Sequence, residues 1–219
     1  FDLYPEYTSS GYIMVLKHDS DGISDEDMWK QLQKEYKDKY DMSWIGQYGF
    51  NNTYALIIRE EAAKKYNLTK TSQLADVSDE LVFGGNSDYI ERKDGFHLLC
   101  DTYGLKFKDV KDIDIGLKYE ALKKGDIDVS NGFTTDAQLS NDNVRVLEDD
   151  KHLQVNYFCS NVVRNDTLKS HPGLEEAIMK LDNSITDKEM ASLNYKVEVE
   201  GKEDVQVAKD YLTEKGIIK

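Results

Sequence analysis

Two stretches of this chain carry aromatic, hydroxyl and acidic side chains at one spacing. Phe1-Asp-Leu-Tyr-Pro-Glu-Tyr-Thr-Ser-Ser10 aligns without gaps with Ile127-Asp-Val-Ser-Asn-Gly-Phe-Thr-Thr-Asp136. In both, a strand-like run with Asp second leads to an aromatic residue, Tyr7 or Phe133. A cluster follows, Thr8-Ser9-Ser10 or Thr134-Thr135-Asp136, where a helix should begin. Hydroxyls and short acids there suit a helix N-terminus, whose free N–H groups take anions or polar ligand atoms. Reaction chemistry finds no such support. His18, His97, His152 and His171 stand alone, with neither a His-x-x-x-His nor a Cys-x-x-Cys spacing, which argues against zinc. Nucleophile elbows and glycine-rich phosphate loops are missing too. No catalytic residue, metal or cofactor is expected, and the chain does not read as an enzyme.

The charge narrows the partners. Forty-two acids against 28 bases give −14 over 219 residues. Phosphate backbones need a basic face, so nucleic acid is excluded as a partner, whereas a small cation would be attracted. Apolar residues at 39% suffice for a core, and the length fits one large domain or two lobes of about 100 residues. There is no run of about 18 apolar residues to span a membrane. The chain starts without Met or a signal peptide, and reads as processed or as a piece of something longer. Cys100 falls in a predicted helix and Cys159 in a predicted strand, and both read as small buried hydrophobes rather than a bridge.

The elements that must position these residues alternate. Ser24 with Asp27 has capping-box spacing, and Met28, Leu32 and Tyr36 form one apolar face behind it. Strands are predicted at 42–45, 54–58 (apolar throughout, hence buried on both faces), 81–85, 127–129, 144–147 and 155–163. Helices are predicted at 60–66, 95–103, 117–124 (stopped by Gly125), 174–181, 188–195 (with Thr186 and Glu189 as a capping box) and 204–215. Such alternation predicts an α/β fold with a largely parallel sheet.

Four ordered segments carry a family likeness. Asp2-Leu-Tyr-Pro-Glu-Tyr-Thr8, Tyr48-Gly-Phe-Asn-Asn-Thr-Tyr-Ala-Leu56, Glu91-Arg-Lys-Asp-Gly95, and Lys118-Tyr-Glu-Ala-Leu122 through Gly125-Asp-Ile-Asp128 to Phe133-Thr-Thr-Asp136 resemble the substrate-binding proteins of ABC transporters for quaternary amines. The likeness covers nearly the whole chain and lacks the family's opening stretch. It implies a periplasmic-binding-protein-like (type II) fold: lobe 1 from residues 1–52 and 157–219, incomplete at its N-terminal part, lobe 2 from 53–156, and a ligand cleft between them. It implies an extracytoplasmic domain, periplasmic or tethered at the cell surface through a missing segment or a permease fusion. Its partners would be a trimethylammonium compound (glycine betaine, carnitine, choline or ergothioneine), an ABC permease and the ATPase subunit.

By the same resemblance, Tyr7, Tyr54, Phe133 and Tyr157 map onto an aromatic cage, Arg92 onto a carboxylate-binding arginine, Ser10 onto a supporting hydroxyl, and Asn52 onto an acid near the cage. Phe133 stands where Tyr is usual, and Asn52 where some members have Asp. A trimethylammonium group donates no ordinary hydrogen bond, and ring faces solvate it at about 0.5–2 kcal/mol each when dry. An arginine grips a carboxylate through two parallel bonds. Plainer roles stand beside these: Arg92 with Glu91 as a surface pair, Ser10 as a helix cap, Asn52 as a turn residue, and Asp136 as an N-cap first and a ligand contact second. A ligand-sensing receptor domain or an enzyme on the same scaffold are the alternative functions. Without the opening stretch, lobe 1 should have an exposed apolar edge or be completed by another chain.

Overall fold

The computed structural model describes residues 1–20, 22–91, 95–114, 116–140 and 143–218. In chain order the elements are β1 (Leu3–Tyr7), a wide helical turn (Ser10–Val15), α1 (Asp25–Tyr40), β2 (Met42–Ile45), β3 (Tyr54–Arg59), α2 (Glu60–Tyr66), β4 (Val82–Gly85), α3 (Ser87–Glu91), α4 (Phe96–Tyr103), β5 (Asp109–Asp112), α5 (Lys118–Lys124), β6 (Val129–Phe133), β7 (Val144–Leu147), β8 (Cys159–Arg164), α6 (Asn165–Ser170), α7 (Leu174–Met179), α8 (Asp187–Glu198) and α9 (Asp204–Glu214). The chain divides into two compact units. Unit 1 is residues 1–53 with 155–219, and unit 2 is residues 54–154.

In unit 1, β8 lies between β1 and β2 and pairs antiparallel with both. Helix α1 starts as its sequence dictates: Ser24 accepts the Asp27 amide at 3.1 Å, and Asp25, Glu26 and Asp27 favour the positive end of the helix dipole. The predicted face is buried, with Met28, Leu32 and Tyr36 packed against Tyr12, Trp44 and Val162. A second cluster joins Phe50, Cys159, Ile185 and Tyr211. Thr186 and Glu189 form the expected reciprocal cap at the start of α8. Unit 1 also has exposed apolar side chains along β1 and the turn after it, with Leu3 40% and Met14 64% accessible.

In unit 2 the strand order is β5-β4-β6-β3-β7. Strand β3 is covered on both faces, as its unbroken apolar run requires: Leu56 and Ile58 join Phe83, Leu99 and Val129, while Ile57 joins Ala121, Leu122 and Ile127. Each such side chain contributes about 1.5–3 kcal/mol when fully buried. Gly125 ends α5 at φ 77°, a left-handed cap open to glycine at little steric cost.

Three expectations are corrected. The sheet is mixed rather than largely parallel, because β3 runs antiparallel to both β6 and β7, while β4 pairs parallel with β5 and β6. The predicted strand 127–129 lies at Val129–Phe133, so Phe133 ends the strand instead of following it. The predicted strand 155–163 begins only at Cys159, since residues 155–158 bond to residues 51–53 instead. The chain passes between the units at 53/54 and 154/155. Thr53 Oγ1 donates to the Val155 carbonyl at 2.7 Å, which keeps both residues in unit 1.

Candidate functional site

Unit 1 holds four of the residues singled out by sequence. Tyr7 ends β1 opposite Cys159 of β8. Its phenol shares a hydrogen bond with the Asn52 side chain, while burial, with a smaller push from Cys159, raises its pKa. The Asn52 amide in turn donates to the Tyr157 carbonyl at 3.0 Å. Tyr7, Asn52 and Tyr157 are therefore linked to one another. Ser10 opens the wide turn three residues after Tyr7 and is half-buried; among the described residues, its place beside them comes from the chain alone.

The hydroxyl cluster behind Tyr7 has a different task from the one its sequence suggests. Ser9 is fully buried, and its Oγ donates to the Asn156 carbonyl at 2.6 Å. Thr8 Oγ1 accepts the Phe158 amide at 3.1 Å. Asn51 completes the anchor: its Nδ2 donates to Asn156 Oδ1, and its Oδ1 accepts the Tyr157 amide, both at 2.7 Å. These groups fix the segment that carries Tyr157. The Asn51–Asn156 pairing is invisible in sequence, because the two residues are 105 positions apart.

Unit 2 holds the other two described candidates, in contact. Tyr54 begins β3 and Phe133 ends β6, and the antiparallel register sets them opposite each other. Their rings stack at 4.9 Å between centroids, 27° from parallel, and both remain half-buried. Tyr89, on α3, adds a third ring 5.6 Å from Tyr54. Sequence reasoning missed it, because a five-residue helix shows no periodicity to mark its buried face. Arg92 lies outside the described residues.

Phe133 is held from below. Its amide donates to Asp136 Oδ2 at 3.1 Å, and its carbonyl accepts the Asp136 amide at 3.0 Å. The same carboxylate oxygen accepts Tyr119 Oη at 2.6 Å and Lys118 Nζ at 3.1 Å.

The remaining candidates for chemistry give little. Burial pushes the thiols up, Cys100 to about 11 and Cys159 to about 12, with Asp101 and Glu6 as lesser causes; neither is poised as a nucleophile. Among the described residues, no group of three or more His, Cys, Asp or Glu is placed to hold a metal ion, and no helix is long and apolar enough to cross a membrane. An apolar cavity of about 300 Å³ between α8 and α9, lined by Met190, Leu193, Val207 and Tyr211 among others, includes none of the predicted site residues.

Known proteins resemble this chain along its length. The family described as the substrate binding domain of ABC-type glycine betaine transport system matches residues 1–214. An ergothioneine transport permease/ergothioneine binding protein of Helicobacter pylori (strain G27) is 37% identical over 217 residues, which is 99% of this chain and 39% of that protein. A carnitine transport binding protein of Listeria monocytogenes serotype 1/2a (strain 10403S) is 36% identical over 182 residues, 83% of this chain and 59% of that one. The chain thus spans less than two thirds of either relative. A crystal structure of a glycine betaine/carnitine/choline ABC transporter superposes with a TM-score of 0.92 at 34% identity, covering 99% of this chain and 79% of that one.

Proposed function

The chain belongs to the substrate-binding domains of ABC-type glycine betaine transport systems, a family of binding domains and not of enzymes, and from that premise we propose that it captures a trimethylammonium compound for an importer. In this reading the ligand takes Tyr7 and Tyr157 from unit 1 and Tyr54 and Phe133 from unit 2. Arg92 receives its carboxylate, with Ser10 and Asn52 in support.

The observation that carries the reading is the Tyr54–Phe133 stack. Two half-buried ring faces at facing strand ends suit a cation that has no hydrogen to donate. Phe133 offers the same π face as the more usual tyrosine. The relative from Helicobacter pylori, whose name joins permease and binding protein, matches 99% of this chain. That supports delivery to a permease and its ATPase, and a location outside the cytoplasm.

Titration calorimetry with glycine betaine, carnitine, choline and ergothioneine tests the reading. At least one should bind below millimolar concentration. Arg92→Ala should weaken a carboxylated ligand by about 1.5 kcal/mol or more and leave choline nearly unchanged. Failure of all four to bind at millimolar levels overturns it.

A further inference from the structure

The Phe133 ring is useful to a cation only if it stays in place on Tyr54. It is half-buried and the last residue of its strand, with the strand ladder on one side of it only. What fixes it lies beneath the backbone. Asp136 closes the turn after β6 in both directions, since its carboxylate takes the Phe133 amide and its own amide meets the Phe133 carbonyl. That carboxylate oxygen is held by Tyr119 Oη and Lys118 Nζ, both from the first turn of α5. Lys118 is only 6% exposed, a rare position for an ammonium group, and one that calls for a paired counter-charge.

The neighbouring residue makes room for this. A Cβ on Gly132 would lie 2.2 Å from Ile57 Cδ1, 2.9 Å from Asp136 Oδ2 and 3.2 Å from Tyr119 Oη. Any side chain there would have to displace Ile57 or the Asp136 carboxylate. The arrangement also has an electrostatic consequence. A carboxylate alone under the ring would compete for the ligand's charge, and a lysine alone would repel it; paired, they present little net field.

We propose that Asp136 is the positioning residue for this part of the site: its carboxylate, balanced by Lys118 and steered by Tyr119, fixes the backbone under Phe133 so that the ring stays stacked on Tyr54 and open to a cationic ligand. This rests on the proposed function for its ligand, though not for its geometry. Because Asp136→Ala alone strands a buried lysine and threatens folding, the decisive variants are paired. Asp136→Ala/Lys118→Met removes both charges and the acceptor. Asp136→Asn/Lys118→Met removes both charges but keeps an oxygen for the Phe133 amide.

Two readouts are taken on the full chain: amide hydrogen exchange at Phe133 by NMR, and calorimetric affinity for glycine betaine and ergothioneine. In the alanine pair, Phe133 exchange should rise about fivefold or more, and affinity for whichever compound the unsubstituted chain binds should fall about tenfold. In the asparagine pair, both should return to within about threefold of the unsubstituted chain, a rescue that general destabilisation would not produce. Unchanged Phe133 exchange in the alanine pair overturns the proposal, as does an asparagine pair as impaired as the alanine pair. If the unsubstituted chain binds neither these two nor carnitine or choline, the proposed function is at fault, and the exchange measurement still decides the role of Asp136.

Discussion

Tyr7 at the end of β1 and Phe133 at the end of β6 hold equivalent places in the two copies of the sequence motif, and each has its amide N–H bound by a carboxylate. In unit 1 the acceptor is Glu6, the preceding residue, at 2.8 Å. In unit 2 it is Asp136, three residues later, at 3.1 Å. The copies differ where it matters: the position of Glu6 is occupied by Gly132 in the second, and the position of Asp136 by Ser10 in the first. Without a side chain at 132, the acceptor comes from the far side of the turn, and it pairs with a lysine whose side chain is only 7% exposed. The repeat keeps the ring at the strand end and changes what holds it there. The local brace stands on the residue next to the ring, whereas the one reached across the turn also takes up the buried Lys118 ammonium and the Tyr119 hydroxyl.

The sharpest way to break this comparison is to remove each brace. Asp136→Ala leaves an unpaired ammonium among buried groups and should destabilise the fold by about 3 kcal/mol or more. Glu6→Ala removes one hydrogen bond near water and should cost about 1 kcal/mol or less. Urea unfolding midpoints give both values. Similar losses at the two positions would mean that the brace paired with a buried lysine is no different in kind from the local one.

The rings themselves offer a finer test. Tyr7 uses its hydroxyl, which is tied to Asn52, so Tyr7→Phe should weaken ligand binding by about 1 kcal/mol, close to fivefold. Phe133 works through its face alone, so Phe133→Tyr should change affinity by about twofold at most. If restoring the hydroxyl at 133 strengthens binding more than removing it at 7 weakens it, the division of labour between the two rings is the reverse of the one argued here.

How much of this the sequence reveals depends on the kind of interaction. Helix α1 and the start of α8 are legible because their signals are local: Met28, Leu32 and Tyr36 repeat at helical spacing, and Ser24 and Thr186 cap amides three residues away. The double burial of β3 is legible because Tyr54-Ala-Leu-Ile-Ile58 has no polar face to turn outward. Strand direction is not legible, since it depends on partners such as β6 and β7, more than 70 residues on in the chain. Strand β5 escapes notice because Asp109-Val-Lys-Asp112 is wholly exposed and joins the sheet by backbone bonds alone, with charged side chains that guard an edge. The stacked pair Tyr54–Phe133 shows the limit from the other side. A resemblance can pick out both rings, but only the register sets them face to face. Asp136 looks like a helix cap in sequence, and its carbonyl does accept the Leu139 amide of the short helical turn that follows, but its carboxylate bonds back to the strand and across to α5.

The smallest effect concerns a third carboxylate, whose lysine partner is far more open to solvent than Lys118. Glu189 closes the cap of α8: its Oε2 accepts the Thr186 amide at 2.8 Å, and its Oε1 accepts Lys215 Nζ at 2.5 Å. The Lys215 bond, followed by the Thr186 bonds, lowers its pKa from 4.5 to about 2. A carboxylate whose folded pKa is depressed binds its proton more readily when unfolded. Its stabilisation is therefore complete above pH 4.5 and is lost as the pH falls from there towards 2. The side chain is 33% exposed and its lysine partner 37%, so solvent screening holds the contribution to about 1 kcal/mol or less, well under the limit the shift alone would set. Glu189→Gln should accordingly lower the melting temperature slightly at pH 7, with a difference that shrinks in 0.5 M salt, on the order of a 4 Å screening length, and closes as the pH approaches 2. Asp136 should not follow this course in salt, because its lysine is shielded from solvent. If Glu189→Gln and Asp136→Asn respond alike to added salt, burial is not what separates the braces, and the contrast between them lies in the number of bonds each carboxylate accepts.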